Sequence, residues 1–395
     1  MASRPLDEPS RRSRVAPFRA MEVLAAANAR AAQGDAVHHL EVGEPGGALP
    51  EPVRAAVADA LAHAPLGYTE ALGMPALRDA IAELYADWYG AAVDPARVAV
   101  TVGASGAFVL ALLAAFDPGA RIGIGEPGYP AYKTMVRALD LAPVTVPTER
   151  ARNFQPAPGD LTTAAPLHGL ILASPSNPTG AVLGADELDR LATACRATGT
   201  RILVDEIYHG LVFDKEQVTL AARAPDAVVV NSFSKFFGLT GWRVGWLVLP
   251  PALVPAVERV AQNLFISPPA ISQHAALAAL RHRELFADRC ARYADNWRRL
   301  ARGLEAAGVA ADAIVPADGA FYLYVDLSAY AEDTAELCRR MLAETGVAAT
   351  PGIDFDAARG HRYARFSVAG GGATIDAAVE RLGAWLPAQR RNRAD

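Results

Sequence analysis

Cysteine is scarce in this sequence: three thiols, Cys195, Cys290 and Cys338, stand far apart in 395 residues. Their odd number and wide spacing exclude a disulfide framework, fit a reduced cytosolic setting, and read as small buried apolar side chains. No Cys/His cluster has zinc-ligand spacing, so no metal is expected. Long apolar runs are missing as well. The longest, Ala107 to Phe116, is too short to span a bilayer, and no membrane partner is expected. An excess of positive charge is also missing. With 38 Lys and Arg against 43 Asp and Glu the formal net charge is −5, which excludes an electrostatic nucleic-acid binder.

No apolar stretch follows Arg4, Arg11, Arg12, Arg14 and Arg19, so no secretory signal is expected. Asp7, Glu8, Pro5 and Pro9 interrupt the amphipathic basic helix that a mitochondrial transit peptide would need. The expectation is a disordered tail and then an arm that docks on the body, together residues 1–42, packing with a small C-terminal domain. The QRRNRAD end is expected to be solvated and frayed. A cytoplasmic location fits all of this.

What the chain has is 52% hydrophobic residues over a length that predicts two or three domains. Short β-branched runs at 98–102, 121–124, 169–173, 201–205, 227–231 and 244–249 alternate with helical stretches, the pattern of a parallel sheet. Gly103, Ala104, Ser105 and Gly106 join the first of these to a helical run from Ala107 to Phe116. They offer backbone N–H groups at a helix N-terminus, a ready phosphate site. After Ile271 the pattern shifts to Ala- and Arg-rich helices over 271–307 and then to FYLYVDL at 321–327, marking a second, smaller domain. The division expected is 43–275 for the large domain and 276–395 for the small one.

The segment NSFSKFFGLTGWRVGW at 231–246 says most about chemistry. It puts Lys235 just past a buried strand, where α/β sheets place their reactive groups. A buried lysine loses its charge readily and forms a Schiff base with a carbonyl. Ser232, Ser234 and Arg243 lie close by in sequence as phosphate ligands, the planar guanidinium matching a phosphate better than an ammonium does. A carbonyl compound carrying a phosphate describes pyridoxal 5′-phosphate. Such a cofactor needs a buried carboxylate to keep its ring nitrogen protonated, and Asp205, ending RILVD, is placed for that.

This segment, together with VGEPG at 42–46, GYTEALGMPALR at 67–78, SPSNPTGAV at 174–182, VDEIY at 204–208 and YARFSVA at 363–369, resembles the class I/II aminotransferases. The motifs occur in one order over residues 38–386. The resemblance implies an α/β chain of pyridoxal-phosphate fold type I: a large domain with a mostly parallel seven-stranded sheet flanked by helices, plus a smaller α+β domain. It implies transfer of an amino group between an amino acid and a 2-oxo acid in two half-reactions through Lys235. By the same resemblance Tyr208 and Asn177 donate hydrogen bonds to the cofactor's ring oxygen, and Tyr129 of EPGYPAY stacks on its ring. Gly103, Ala104 and Ser105 join Ser232, Ser234 and Arg243 around the phosphate. Arg365, with Phe366 and Ser367 after it, matches the fork that takes the substrate carboxylate, with Arg362 the neighbour that could be mistaken for it. Gly43 and Asn177 match further substrate contacts. Tyr68 matches a tyrosine that reaches the phosphate of the neighbouring subunit, so a homodimer is implied.

Two departures point away from a dicarboxylate substrate. Gly46, Gly47 and Ala48 replace the usual acidic and aromatic residues, and QNLFISPP at 262–269 has no second arginine. With Leu40, Phe265 and Ile266 as expected channel residues, a neutral or apolar amino acid is the expected substrate. The alternatives are a β-lyase acting on cysteine-like substrates, which shares the lysine, the aspartate and the carboxylate arginine, and more remotely a non-catalytic pyridoxal-phosphate-binding regulator.

Overall fold

The computed structural model describes residues 8–164 and 166–391. Its strands, in chain order, are β1 (His38–His39), β2 (Val98–Thr101), β3 (Arg121–Glu126), β4 (Ala142–Pro147), β5 (Gly169–Ala173), β6 (Arg201–Asp205), β7 (Val228–Ser232), β8 (Gly245–Val248), β9 (Ile314–Val315), β10 (Tyr322–Asp326), β11 (Val347–Ala348), β12 (Thr350–Pro351) and β13 (Tyr363–Ser367). Seven of them form one sheet in the order β2-β8-β7-β6-β5-β3-β4. Strands β3 to β7 are mutually parallel. The chain then returns from β7 to β8 through residues 233–244 without a crossover helix, so β8 runs antiparallel to both its neighbours. That short return carries Lys235.

Alternation along the strands divides the core into two layers. In β6, Ile202 and Val204 enter one cluster while Leu203 enters the other. Asp205 continues the Leu203 face, and Ser232 continues the face of Val228 and Val230, so both arrive on the same side at the carboxyl end of the sheet. Leu203 is fully buried, and truncating it to Ala is expected to cost about 2–5 kcal/mol of stability, measurable by denaturant unfolding.

A second sheet, β12-β13-β10-β9, is antiparallel and brings Arg365 opposite both Tyr324 and Thr350. Parallel pairing of β1 with β11 ties the N-terminal segment to this C-terminal part. The helix Arg19–Ala31 starts with the backbone N–H groups of Arg19 and Ala20 donating to the Asp354 carboxylate at 3.2 and 2.9 Å.

Several expectations change here. β4 was not foreseen, because two prolines obscure its pattern; it is an edge strand, where proline is tolerated. The helix expected from Ala107 already begins at Gly103, so 103–106 is its first turn rather than a linker. Of the expected N-terminal tail, residues 1–7 lie outside the described residues, while Arg12 already pairs with Asp140. Residues 392–395 are also outside them. The end before these is tied down, Arg391 bonding to the carbonyl of Ala329 and pairing with Glu332. Cys195 and Cys338 are buried, but Cys290 is only half-buried, its thiol donating to the Val212 carbonyl at 3.1 Å. No helix among the described residues is long and apolar enough to cross a membrane.

Candidate active site

The carboxyl end of the large sheet opens into a cavity of about 640 Å³. The sequence-derived site residues line it, with two exceptions: Gly103, one residue behind its wall, and Tyr68, which is 83% exposed and lies outside it.

Lys235 sits at the centre. Its amine donates to the Gly43 carbonyl at 2.7 Å and lies about 6 Å from the rings of Tyr208 and Phe321. Burial first, and then the Arg365 guanidinium, bring its pKa down to about 8. Lys133 and Lys215, the other lysines of the chain, are paired with Glu126 and Asp318. Lys235 is therefore the lysine suited to react as a neutral amine.

Asp205 is 3% exposed. It accepts from the Tyr132 hydroxyl at 2.5 Å and the Ile207 N–H at 3.1 Å. Burial raises its pKa to about 6, against the opposing pull of those two hydrogen bonds. A carboxylate this poorly solvated gains from a cationic partner.

The helix Gly103–Ala115 begins after Val102 with no side chain capping its N-terminus. Its first N–H groups are thus free for an anion. Ser232 Oγ lies 2.9 Å from Ser234 Oγ, and the Arg243 guanidinium packs on Gly103. Gly103 has φ +67°, and a Cβ there would lie 2.5 Å from an Arg243 nitrogen, so both its conformation and the close approach require glycine. Ala104 and Ser105 line the same cavity as Ser232, Ser234 and Arg243, and these groups could together hold an anion.

Arg365 is 2% exposed and donates to Asn177 Oδ1 at 3.0 Å. Its second terminal nitrogen bonds to the Glu41 carbonyl and, at 3.3 Å, to Thr350 Oγ1, while Nε is buried without a partner. Arg362 instead pairs with Asp326 at 2.6 Å on the surface. Asn177, having accepted from Arg365, keeps its amide N–H groups free to donate.

Tyr129 packs edge-on against Tyr132 and Phe18, with ring centroids 5.4 and 6.0 Å apart. Burial pushes its hydroxyl up to about 12.

The sequence reading missed Tyr132, Tyr322, Phe18 and Met21, all in the cavity wall. Tyr132 had a signal, since it stands at i+3 from Tyr129 on a helix that starts at Pro130. Phe18 and Met21 had none, because they arrive from a remote N-terminal segment. Conversely, Leu40, Phe265 and Ile266, expected in the channel, do not line it. Leu40 is in the core, and Ile266 is half exposed.

The match to proteins of known class decides what this cavity serves. The family model for aminotransferase class I and II matches residues 36–382. The chain belongs to that family. It is 45% identical to the valine–pyruvate aminotransferase of Mycobacterium tuberculosis, over 97% of this chain and 100% of the relative. A crystal structure of an aminotransferase from Mycobacterium tuberculosis superposes with a TM-score of 0.94 at 44% identity, covering 97% of this chain and 100% of the other. The aspartate aminotransferase of Thermus thermophilus with maleate gives 0.89 at 33% identity, covering 95% and 99%.

The protein is thus a fold-type-I aminotransferase that uses pyridoxal phosphate and acts on amino acids and 2-oxo acids. The cavity fits that cofactor on its own chemistry. An uncapped helix start with Arg243 suits the phosphate, a poorly solvated carboxylate suits the ring nitrogen, and a lysine with a lowered pKa suits the carbonyl.

Proposed function

We propose that this aminotransferase takes the amino group from a neutral, apolar amino acid and passes it to a 2-oxo acid, with Lys235 as both cofactor anchor and proton carrier. The observation that carries this is the cavity's composition. Phe18, Met21, Phe108 and Met135 supply an apolar wall, and its arginines are Arg243 and Arg365, one packed on Gly103 and one beside Asn177. Among the described residues no third arginine lines it to hold a side-chain carboxylate. The name of the Mycobacterium tuberculosis relative, which specifies valine and pyruvate, supports the same substrate class.

In this reading pyridoxal phosphate supplies an electron sink conjugated to the amino acid's Cα. Arg365 holds the α-carboxylate by its fork and so fixes the Cα–H bond for cleavage. Lys235 would take that proton as a neutral amine and return it across the intervening nitrogen, to the carbon that the cofactor's carbonyl supplies. Asp205, buttressed by Tyr132, keeps the proton on the ring nitrogen. Asn177 and Tyr208 would donate to the ring oxygen, and Tyr129 would offer its aromatic face to the ring. Ser232, Ser234, Arg243 and the N–H groups of Gly103, Ala104 and Ser105 hold the phosphate. Gly43 holds the Lys235 amine through its carbonyl, and its missing side chain leaves the place that the Tyr322 hydroxyl takes.

A panel of amino donors with pyruvate tests the substrate assignment. Valine, leucine and alanine are expected to exceed aspartate in kcat/KM, and to differ among themselves modestly, since one methylene is worth about 1–3 kcal/mol in such a pocket. Aspartate preferred over all three would overturn it. Supplied with one amino acid and no oxo acid, the enzyme should convert its cofactor once and stop. Sustained release of pyruvate and ammonia from cysteine-like substrates would indicate the lyase instead.

The lysine's lowered pKa gives a pH dependence. The neutral amine is the nucleophile and is present above the pKa, so cofactor attachment to apoenzyme, followed by absorbance, is expected to quicken up to about pH 8 and then level off. A rise continuing toward the ordinary lysine value of about 10.4 would contradict it.

The homodimer belongs to the same proposal. Tyr68 stands 83% exposed outside its own cavity, available to a second subunit. Tyr68→Phe is expected to weaken cofactor retention by about 1.5–3 kcal/mol, the value of a hydrogen bond to a charged group. Mixing Lys235→Ala chains with Tyr68→Phe chains should restore wild-type cofactor retention at the Lys235-containing site only if Tyr68 acts across the interface, and a fully active monomer by light scattering would rule the dimer role out. The domain division is also part of this reading, with the second limit moved past Arg281, because Ala270–Arg281 is one helix packed on Glu51–His63 and Pro75–Tyr89. A cytoplasmic location completes it.

A further inference from the structure

Tyr322 touches three parts of the machinery at once. It opens β10 and is 2% exposed. Its hydroxyl lies 2.8 Å from the Tyr208 hydroxyl. Its ring is covered by the Arg365 guanidinium, with Cζ 4.4 Å from the ring centroid. The same hydroxyl occupies the place that a side chain on Gly43 would take, and Gly43 is the residue whose carbonyl receives the Lys235 amine. The strand start is itself pinned, because the Trp297 indole donates to the Tyr322 carbonyl at 3.0 Å.

Two buried hydroxyls that share one hydrogen bond leave one proton over. When Tyr322 donates to Tyr208, the Tyr208 proton is free to point at another acceptor, and receiving a hydrogen bond makes Tyr208 the stronger donor. The ring does separate work. A guanidinium lying on a desolvated aromatic face is held in plane by cation–π attraction, which fixes the direction of its fork.

We propose that Tyr322 is a positioning residue that joins the two ends of the reacting amino acid's environment: its hydroxyl directs the Tyr208 proton toward the cofactor's ring oxygen, and its ring sets the plane of the carboxylate-binding Arg365. The inference rests on the roles of Tyr208 and Arg365 in the proposed function. It predicts that one side chain affects two observables through two separable parts, the hydroxyl and the ring.

The test uses Tyr322→Phe and Tyr322→Leu holoenzymes beside Tyr208→Phe. The readouts are the pH midpoint of the bound cofactor's visible absorbance and the KM for the amino donor. Tyr208→Phe should raise the midpoint, because a hydrogen bond to the deprotonated ring oxygen is lost. Tyr322→Phe should raise it by roughly 10–30% of that amount, the share expected from cooperative strengthening, and should add nothing in the double variant. Its KM should stay close to wild type because the ring remains. Tyr322→Leu should raise KM roughly 2- to 30-fold, the range of a cation–π contact from exposed to desolvated.

A midpoint that moves in Tyr208→Phe but not in Tyr322→Phe, or moves additively in the double variant, overturns the link through Tyr322. No movement in Tyr208→Phe overturns the underlying role of Tyr208 instead. If Tyr322→Leu does not fold, the Phe variant alone decides the hydroxyl half. Equal KM values in folded Leu and Phe variants refute the ring half.

Discussion

Lys235→Ala is expected to bind pyridoxal phosphate yet lose turnover by at least about 10²- to 10⁴-fold, the span of a positioned acid–base group. The loss should be in kcat. In the proposed reading the groups that would hold the phosphate, the Asp205 carboxylate and the Tyr129 ring are built from other elements and would keep the cofactor in place, so retention should fall far less than rate. What disappears is the amine that sits 2.7 Å from the Gly43 carbonyl with its pKa lowered to about 8. No other lysine can substitute, since Lys133 and Lys215 are committed to Glu126 and Asp318. Stopped-flow absorbance with a saturating amino acid checks this, and a variant within about tenfold of wild type would remove Lys235 from the chemistry.

Asp205→Ala is expected to slow turnover by about 10²- to 10⁴-fold with the cofactor saturated, if losing one partner of a buried ion pair costs about 3–5 kcal/mol in the rate-limiting step. The carboxylate is buried and has its pKa raised to about 6, so a cation beside it is its natural partner. With the carboxylate gone, the ring nitrogen has nothing to hold its proton. Asp205→Asn should be nearly as slow, because an amide has similar shape and hydrogen bonds but no charge. Tyr132→Phe should have a smaller effect of the same sign, since it removes a hydroxyl from Asp205 and not the charge. Circular dichroism and cofactor absorbance separate a slow, folded enzyme from a misfolded one. Wild-type rates in Asp205→Ala would refute the role.

Much of this site was legible because its residues come in short motifs at strand ends. RILVD and VVVNS announce buried strands by their β-branched runs, and Asp205 and Ser232 come in step on the same face. Lys235 could be read from its setting in one segment. Arg365 could be separated from Arg362 by the Phe366 and Ser367 next to it, and the two arginines do part, one into the cavity and one to the surface. The resemblance to a family then placed Tyr208, Asn177 and Tyr129, which composition and periodicity alone would have left in the core.

The apolar wall was not legible. Phe18 and Met21 reach the cavity only because the helix beginning at Arg19 is held by Asp354, more than 330 residues away in sequence, and no local pattern encodes such a contact. Leu40, Phe265 and Ile266 were chosen for the channel by nearness to motifs, and nearness along the chain is not nearness in space. Tyr322 looked like one more aromatic in a strand. Its place at the junction of Tyr208, Arg365 and Gly43 comes from contacts with residues far from it in the chain, Tyr208 lying 114 residues away. The prolines of β4 hid a strand that needs no ladder partner on its outer edge.

Borohydride reduction of the holoenzyme, then proteolysis and mass mapping of the phosphopyridoxyl group, tests the central claim most directly. The chain offers three lysines, Lys133, Lys215 and Lys235, so the outcome is a choice among few positions. The label is expected on the peptide containing Lys235 and to be lost in Lys235→Ala. Label on Lys133 or Lys215 in the native enzyme, at one equivalent per chain, would contradict it.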